Sequence, residues 1–223
     1  MTDSEARGTA MTEDATLLAE LLAEFSPSCL VADAHPGVGV IGGWRSVDPA
    51  HRIAGPALTV EVRPDQLVDV LPVLELARPG DVVVIACAGA TELAMWGGLM
   101  ATLSRMAGIA GTVVDGAIRD VDELRALDWP AWFRVANPRR CPPAPPEVDP
   151  LEWMNRPVRV GGVPINPGDY VIADENGVSV VPPQLLGEVM AGVRRLLGTE
   201  ARIRDRINAG IRLPQLLAEF GSL

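Results

Sequence analysis

Apolar residues early in the chain return every three or four positions: Leu17, Leu18, Leu21, Leu22 and Phe25 share one side of a helical wheel, with Glu20 and Glu24 opposite. That spacing predicts an amphipathic helix over 15–25. A glycine-rich connection through Gly37, Gly39, Gly42 and Gly43 follows, and segment 57–62 then alternates as a half-buried strand does. Residues 67–77 read as a helix and Pro79-Gly80-Asp81 as a turn. The run 82–88 is apolar without interruption, which marks a strand covered on both faces and therefore central. From 92 to 107 the spacing places Leu93, Trp96, Met100, Leu103 and Met106 on one face of a predicted helix, ended by Gly108 and Gly111. A buried strand at 112–114, a short helix at 120–127 with acidic residues in its first turn, and a strand at 131–135 continue the alternation.

Strand and helix in alternation define the α/β class. The stretch 137–150 carries six prolines and reads as a loop rather than a domain boundary. Beyond it, 158–181 holds short β runs, with Asn176-Gly177 a hairpin signal. Helices over 185–197 and 201–220 end the chain, the last an arm carrying Ile203, Ile207, Ile211, Leu213, Leu216 and Leu217. The organisation expected is one domain over 1–223: an N-terminal helix (1–26), a core (27–182) and C-terminal helices (183–223). Pro-Gly-Asp occurs before two apolar runs, at 79–81 and 167–169, and reads as a common turn used twice.

Composition narrows the chemistry. The chain has 223 residues, 48% of them hydrophobic, and a formal net charge of −10, which argues against attraction to nucleic acid or an anionic membrane. All 19 basic residues are arginine. Without lysine there is no Schiff-base aldolase, no internal pyridoxal phosphate aldimine and no glycine-lysine phosphate loop. The three cysteines, Cys29, Cys87 and Cys141, are too far apart for a clamp and read as buried thiols in a reducing compartment. His35 and His51 cannot supply a three-imidazole zinc site, so any metal is expected to take oxygen ligands. The first fifteen residues are polar and acidic, and no apolar run reaches the length of a membrane span, about 18 residues, so a cytoplasmic protein without a membrane partner is expected.

The densest group of reactive side chains is Asp115-Gly116-Ala117-Ile118-Arg119-Asp120-Val121-Asp122-Glu123, at the mouth of a buried strand, where open α/β sheets place ligands. Arg119 offers a planar fork for a carboxylate, and Asp120 a hard oxygen for magnesium or manganese. The same two residues also read as a surface ion pair beside a helix start. Gly97-Gly98, followed by Leu99 and Met100, reads either as an anion-binding helix start or as small residues that permit close packing. Trp96 reads as core, Arg139 and Arg140 as solvated loop charges, and His35 and His51 as surface or loop residues.

Gly98, twenty intervening residues and then Arg119-Asp120-Val121-Asp122-Glu123 resemble the G-x20-R-D-x2-E/D pattern of the 4-hydroxy-4-methyl-2-oxoglutarate aldolase family, which includes the regulator of ribonuclease activity A. Gly55 with Thr59-Val60, Pro79-Gly80-Asp81, Gly111-Thr112-Val113-Val114-Asp115-Gly116 and Gly161-Gly162-Val163 carry the resemblance from about Asp33 to Pro182. It implies an α/β/α sandwich of the swivelling phosphohistidine-domain kind, assembled as homotrimers or homohexamers with sites at subunit boundaries. It also implies that Arg119 binds a pyruvate carboxylate, Asp120 a divalent Mg2+ or Mn2+ ion, and the amides of Gly97, Gly98, Leu99 and Met100 the substrate carboxylate, with Glu123 orienting water. The activity implied is retro-aldol cleavage of a 4-hydroxy-2-oxo acid to pyruvate, with oxaloacetate decarboxylation on the side. The alternative is a non-enzymatic, protein-binding regulator of a ribonuclease. Ala86 and Gly98 depart from the family's usual polar residues and point to an altered distal pocket. No glycine-rich loop with a following ribose-binding acid supports a methyltransferase.

Overall fold

Runs of valine and isoleucine frame the computed structural model, which describes residues 13–63, 65 and 67–221. Helices α1 (Glu13–Glu24) and α2 (Ser28–Ala34) come first, followed by the short strands β1 (Gly39–Ile41) and β2 (Arg45–Ser46). The long strand β3 (Ile53–Glu61) and the strand β4 (Val82–Ala86) come next, all five β4 residues being buried. After them lie β5 (Ala94–Trp96), α3 (Gly98–Met106), β6 (Gly111–Ile118), α4 (Val121–Ala126) and β7 (Ala131–Ala136). The chain finishes with β8 (Val158–Val160), β9 (Val163–Ile165), β10 (Tyr170–Asp174), β11 (Gly177–Val181), α5 (Leu186–Asn208) and α6 (Leu213–Phe220).

The strands form a mixed sheet in the order β1-β11-β10-β3-β4-β6-β7-β2. Its heart, β3, β4, β6 and β7, is parallel, while β1, β10, β11 and β2 join antiparallel. The continuous apolar run at 82–86 is therefore central, as parallel strands buried on both faces require. One apolar cluster, around Val83, Ile85, Trp96, Ile118 and Leu124, lies between the sheet and α3 and α4. A second, around Val84, Val113, Trp132, Val171 and Val160, is covered by the β8–β9 hairpin. The third joins α1, α2 and α5 to Ile172 and Val181.

Several elements differ from the periodicity. Residues 67–77 hold a single 3-10 turn at Leu71–Glu75, because Pro72 removes an amide at its start and Arg78-Pro79 prevents continuation. The predicted helix over 92–107 begins only at Gly98; Ala94–Trp96 is a buried strand beside β6. Its buried positions are Gly98, Ala101 and Ser104, so Leu103 and Met106, expected on the inner face, point outward. β4 stops at Ala86 rather than Ala88: Ala88 (φ 50°) and Gly89 (φ 76°) form a turn closed by the Ala90 amide on the Cys87 carbonyl. Helices 185–197 and 201–220 become the 23-residue α5 and the separate α6. The Asn176-Gly177 hairpin forms with Asp174 paired to Gly177, and a β-carbon at Gly177 would stand 2.6 Å from the Ile41 carbonyl. Cys29 is exposed, against the expectation for all three thiols. No helix among the described residues is long and apolar enough to cross a membrane.

Candidate active site

Two strand ends and two helix starts meet at one point. β6 pairs with β4 as far as Ile85 and Val114, then β5 takes the place of β4 along Ala117 and Ile118. β5 and β6 end side by side, tied by the Arg119 amide donating to the Trp96 carbonyl at 2.9 Å. Each strand turns at once into a helix, α3 after Gly97 and α4 after Asp120, so two sets of unpaired helix-start amides lie next to each other.

Asp120 is the joint. Its backbone is left-handed (φ 55°, ψ 41°), a conformation disfavoured for a residue with a side chain, and its carbonyl accepts from the Leu124 amide. Its Oδ2 accepts from Gly98 N at 3.2 Å and from Arg119 Nε at 3.1 Å. The Arg119 and Asp120 side chains are 35% and 32% exposed, so the pair is neither sealed in nor fully in solvent. Among the described residues, Asp120 Oδ1 and both Nη groups of Arg119 have no protein hydrogen-bond partner.

The glycines owe their identity to these side chains. A β-carbon at Gly97 would stand 2.8 Å from Asp120 Oδ2, and one at Gly98 only 2.1 Å from Glu123 Oε2. Glu123 thus lies across the start of α3, in the space a side chain at 98 would need. Two carboxylates at a helix N-terminus are held by its partial positive charge. Arg119 and Asp120 form the ion pair, and the glycines permit close packing, but what they pack against is the charged cluster itself.

The cluster assembles Gly97, Gly98, Arg119, Asp120 and Glu123, with the Leu99 side chain exposed and Met100 partly buried on the first turn of α3. No group of three or more His, Cys, Asp or Glu among the described residues is placed to hold an ion. Asp120, with Glu123 nearby, offers hard oxygens of the kind that would hold magnesium, an ion commonly held by one or two carboxylates with water filling its shell.

Other singled-out residues lie elsewhere. Arg139 and Arg140 are exposed in the proline-rich loop, and Trp96 is buried, stacked on Trp129 at 6.3 Å. His35 sits at the surface, 3.5 Å from Glu188. His51 is buried, its Nε2 bonded to Asp128 at 2.9 Å, so it pins two loops rather than facing solvent. Burial lifts the Cys87 and Cys141 thiols to about 12, with the Asp115 charge adding to the effect on Cys87 and that of Asp69 on Cys141.

Sequence reasoning gave no role to Arg134, whose Nε donates to the buried carboxylate of Asp115. The available signal was a charged residue ending the buried run Thr112-Val113-Val114, since a buried carboxylate needs a counter-charge. Ala86, one of the two departures, lines the cavity beside that pair and not the Arg119 cluster. Gly98, the other, is filled by Glu123.

The sequence profile of the RraA-like (Aldolase/RraA) family matches residues 28–180. A Halalkalibacterium halodurans protein provisionally named 4-hydroxy-4-methyl-2-oxoglutarate aldolase is 34% identical over 157 residues, 70% of this chain and 72% of the relative. A solved Pseudomonas syringae structure superposes with a TM-score of 0.74 at 28% identity, covering 92% of this chain and 99% of that one. Streptomyces coelicolor RraAS2, described as an unusual member of the RNase ES inhibitor RraA family, gives 0.70 at 28% identity, over 88% of this chain and 99% of its own.

Proposed function

This chain belongs to the RraA-like family, and from that membership and the Gly98–Asp120 geometry we propose that it is a divalent-metal-dependent carbon–carbon lyase. It cleaves 4-hydroxy-4-methyl-2-oxoglutarate-like 4-hydroxy-2-oxo acids to pyruvate and decarboxylates oxaloacetate as a side reaction. The observation that carries the reading is the sharing of Asp120 Oδ2 by Arg119 Nε and Gly98 N, which leaves a carboxylate oxygen and a guanidinium edge side by side and partly open.

In this reading the substrate carboxylate lies between the Arg119 Nη groups and the helix-start amides of Leu99 and Met100, which no intrahelical carbonyl can satisfy. Asp120, with Glu123 beside it, would hold a Mg2+ or Mn2+ ion, which when bound would supply Lewis acidity to the 2-oxo group. Glu123 orients the water that accepts the 4-hydroxyl proton. The C3–C4 bond then breaks with its electron pair passing toward C3, and protonation there gives pyruvate. For oxaloacetate, carbon dioxide leaves in place of the second carbonyl fragment. The absence of lysine agrees with this route, since no Schiff base is needed.

The scaffold assumed is an α/β/α sandwich of the swivelling phosphohistidine-domain kind, in a homotrimer or homohexamer with the site at a boundary between copies. The exposed stripe Leu99, Leu103 and Met106 on α3, beside the cluster, supports that placement. A coupled assay for pyruvate, run with magnesium or manganese and again with chelator, tests the activity: metal-dependent release is expected. No release from any 2-oxo diacid at high protein concentration would overturn it and favour the protein-binding regulator, which capture of a ribonuclease E C-terminal region would then reveal.

A further inference from the structure

A cavity of about 430 Å3 opens where β4 ends and β5 has not yet taken its place beside β6. Crevices at the carboxyl ends of parallel strands are where open α/β sheets bind small molecules, and the volume falls in the range of such sites. It shares no lining residue with the Arg119 cluster. Ala86, on its floor, belongs to the apolar cluster of Val84 and Val113, whereas Trp96 and Ile118, which precede Gly97 and Arg119, belong to the other.

Three arginines line this space, Arg63 after β3, Arg134 on β7 and Arg159 on β8, with the acidic residues Glu61 and Asp115; Arg63 is paired with Asp65 at 3.1 Å. Asp115 is already committed, since its buried side chain, 4% exposed, takes the Arg134 Nε. Arg134 is held twice, by that carboxylate and by the Trp44 ring, 5.2 Å from its guanidinium carbon. Its side chain remains 37% exposed, and neither Nη group has a protein partner among the described residues. Arg134 lines the cavity with Nε engaged and both Nη groups still available, and a guanidinium held in this way can recognise paired oxygens. Arg159 lines the same cavity, its Nη1 donating to the Gly162 carbonyl of the β8–β9 turn, and Ala86 and Ala88 contribute only small side chains to the lining.

We infer that this cavity is a binding site, separate from the Arg119 cluster, for a small organic anion bearing a carboxylate or phosphate group, gripped by Arg134 and Arg159. The inference does not depend on the lyase reading.

The test is calorimetric titration of the full chain at low ionic strength with succinate and, separately, inorganic phosphate. Saturable one-to-one binding of at least one is expected; succinate alone identifies a carboxylate site, phosphate alone a phosphate site. Arg159→Glu, at an exposed position, should weaken binding at this cavity at least about tenfold, Arg134→Gln should abolish it, and a saturable one-to-one event should remain in Arg119→Ala, where the other carboxylate-binding side chain is removed. Arg134→Gln leaves Asp115 unpaired, so circular dichroism accompanies it and Arg159→Glu carries the decision if it fails to fold. Failure of both anions to saturate, full binding by Arg159→Glu, or loss of binding in Arg119→Ala would overturn the inference.

Discussion

At the scale of single residues, the cluster around Asp120 makes separable demands on charge and on space. Arg119 contributes its fork and Asp120 its acceptors, so Arg119→Ala is expected to lower kcat/KM by about 2 to 4 kcal/mol of transition-state stabilisation, with little change in melting temperature. Near-normal turnover would remove Arg119 from the site. Gly98→Ala acts through space instead: its β-carbon would displace the Glu123 carboxylate, which swings on a flexible side chain rather than on backbone. The fold should survive while turnover falls, a split read by thermal denaturation beside the pyruvate assay. Thiol chemistry gives a third check. Cys29 is exposed while burial holds Cys87 and Cys141 protonated up to about 12. An aromatic disulfide reagent at neutral pH should therefore titrate one thiol in the folded chain and three after denaturation.

At the scale of elements, the side chain of Asp174 fastens the helices to the sheet. Fully buried at the end of β10, it accepts from Ser28 N at 2.8 Å and Ser28 Oγ at 2.7 Å, at the start of α2, and from Asn176 N at 2.9 Å in the hairpin. Asp174→Ala strands those donors and should cost about 3 kcal/mol or more, measured by urea unfolding. The elements also show where pattern was legible. The run 82–86 belongs to a strand whose burial is set by the sheet itself, so the side-chain sequence announces it; 57–61 lie in a strand too, but Ala57 to Val60 are all buried rather than alternately exposed, because β3 lies inside the sheet between β10 and β4. Residues 94–96 mislead because three buried residues in a row fit a helix or a strand equally well. Their parallel partner, Ala117 to Ile118, is more than twenty residues away and supplies the missing information. For 67–77, the single Pro72 outweighed the apolar spacing.

At the scale of the whole molecule, protonation and assembly give tests that no single contact provides. Cys87 and Cys141 keep their protons in the fold up to about 12 but lose them near 9.0 once unfolded. Stability from these groups is complete below pH 9 and declines as pH climbs from 9 toward 12, because the unfolded chain releases protons first. A melting temperature falling over that window, with a shallower slope in Cys141→Ala, is the expected result. Light scattering should give three or six times the 23.6 kDa chain mass if copies meet over the α3 stripe, and Met106→Glu should reduce the assembly. The sequence by itself determined the α/β class, the absence of Schiff-base chemistry, and the candidacy of Arg119, Asp120 and Glu123, since composition and short-range spacing are properties of the chain alone. Only the tertiary structure decided that Glu123 fills the place of a side chain at 98, that Ala86 borders a separate cavity, and that Arg134 is the counter-charge of Asp115. Those facts rest on strand order and register, which bring distant residues within a few ångströms and leave no periodic trace in the chain.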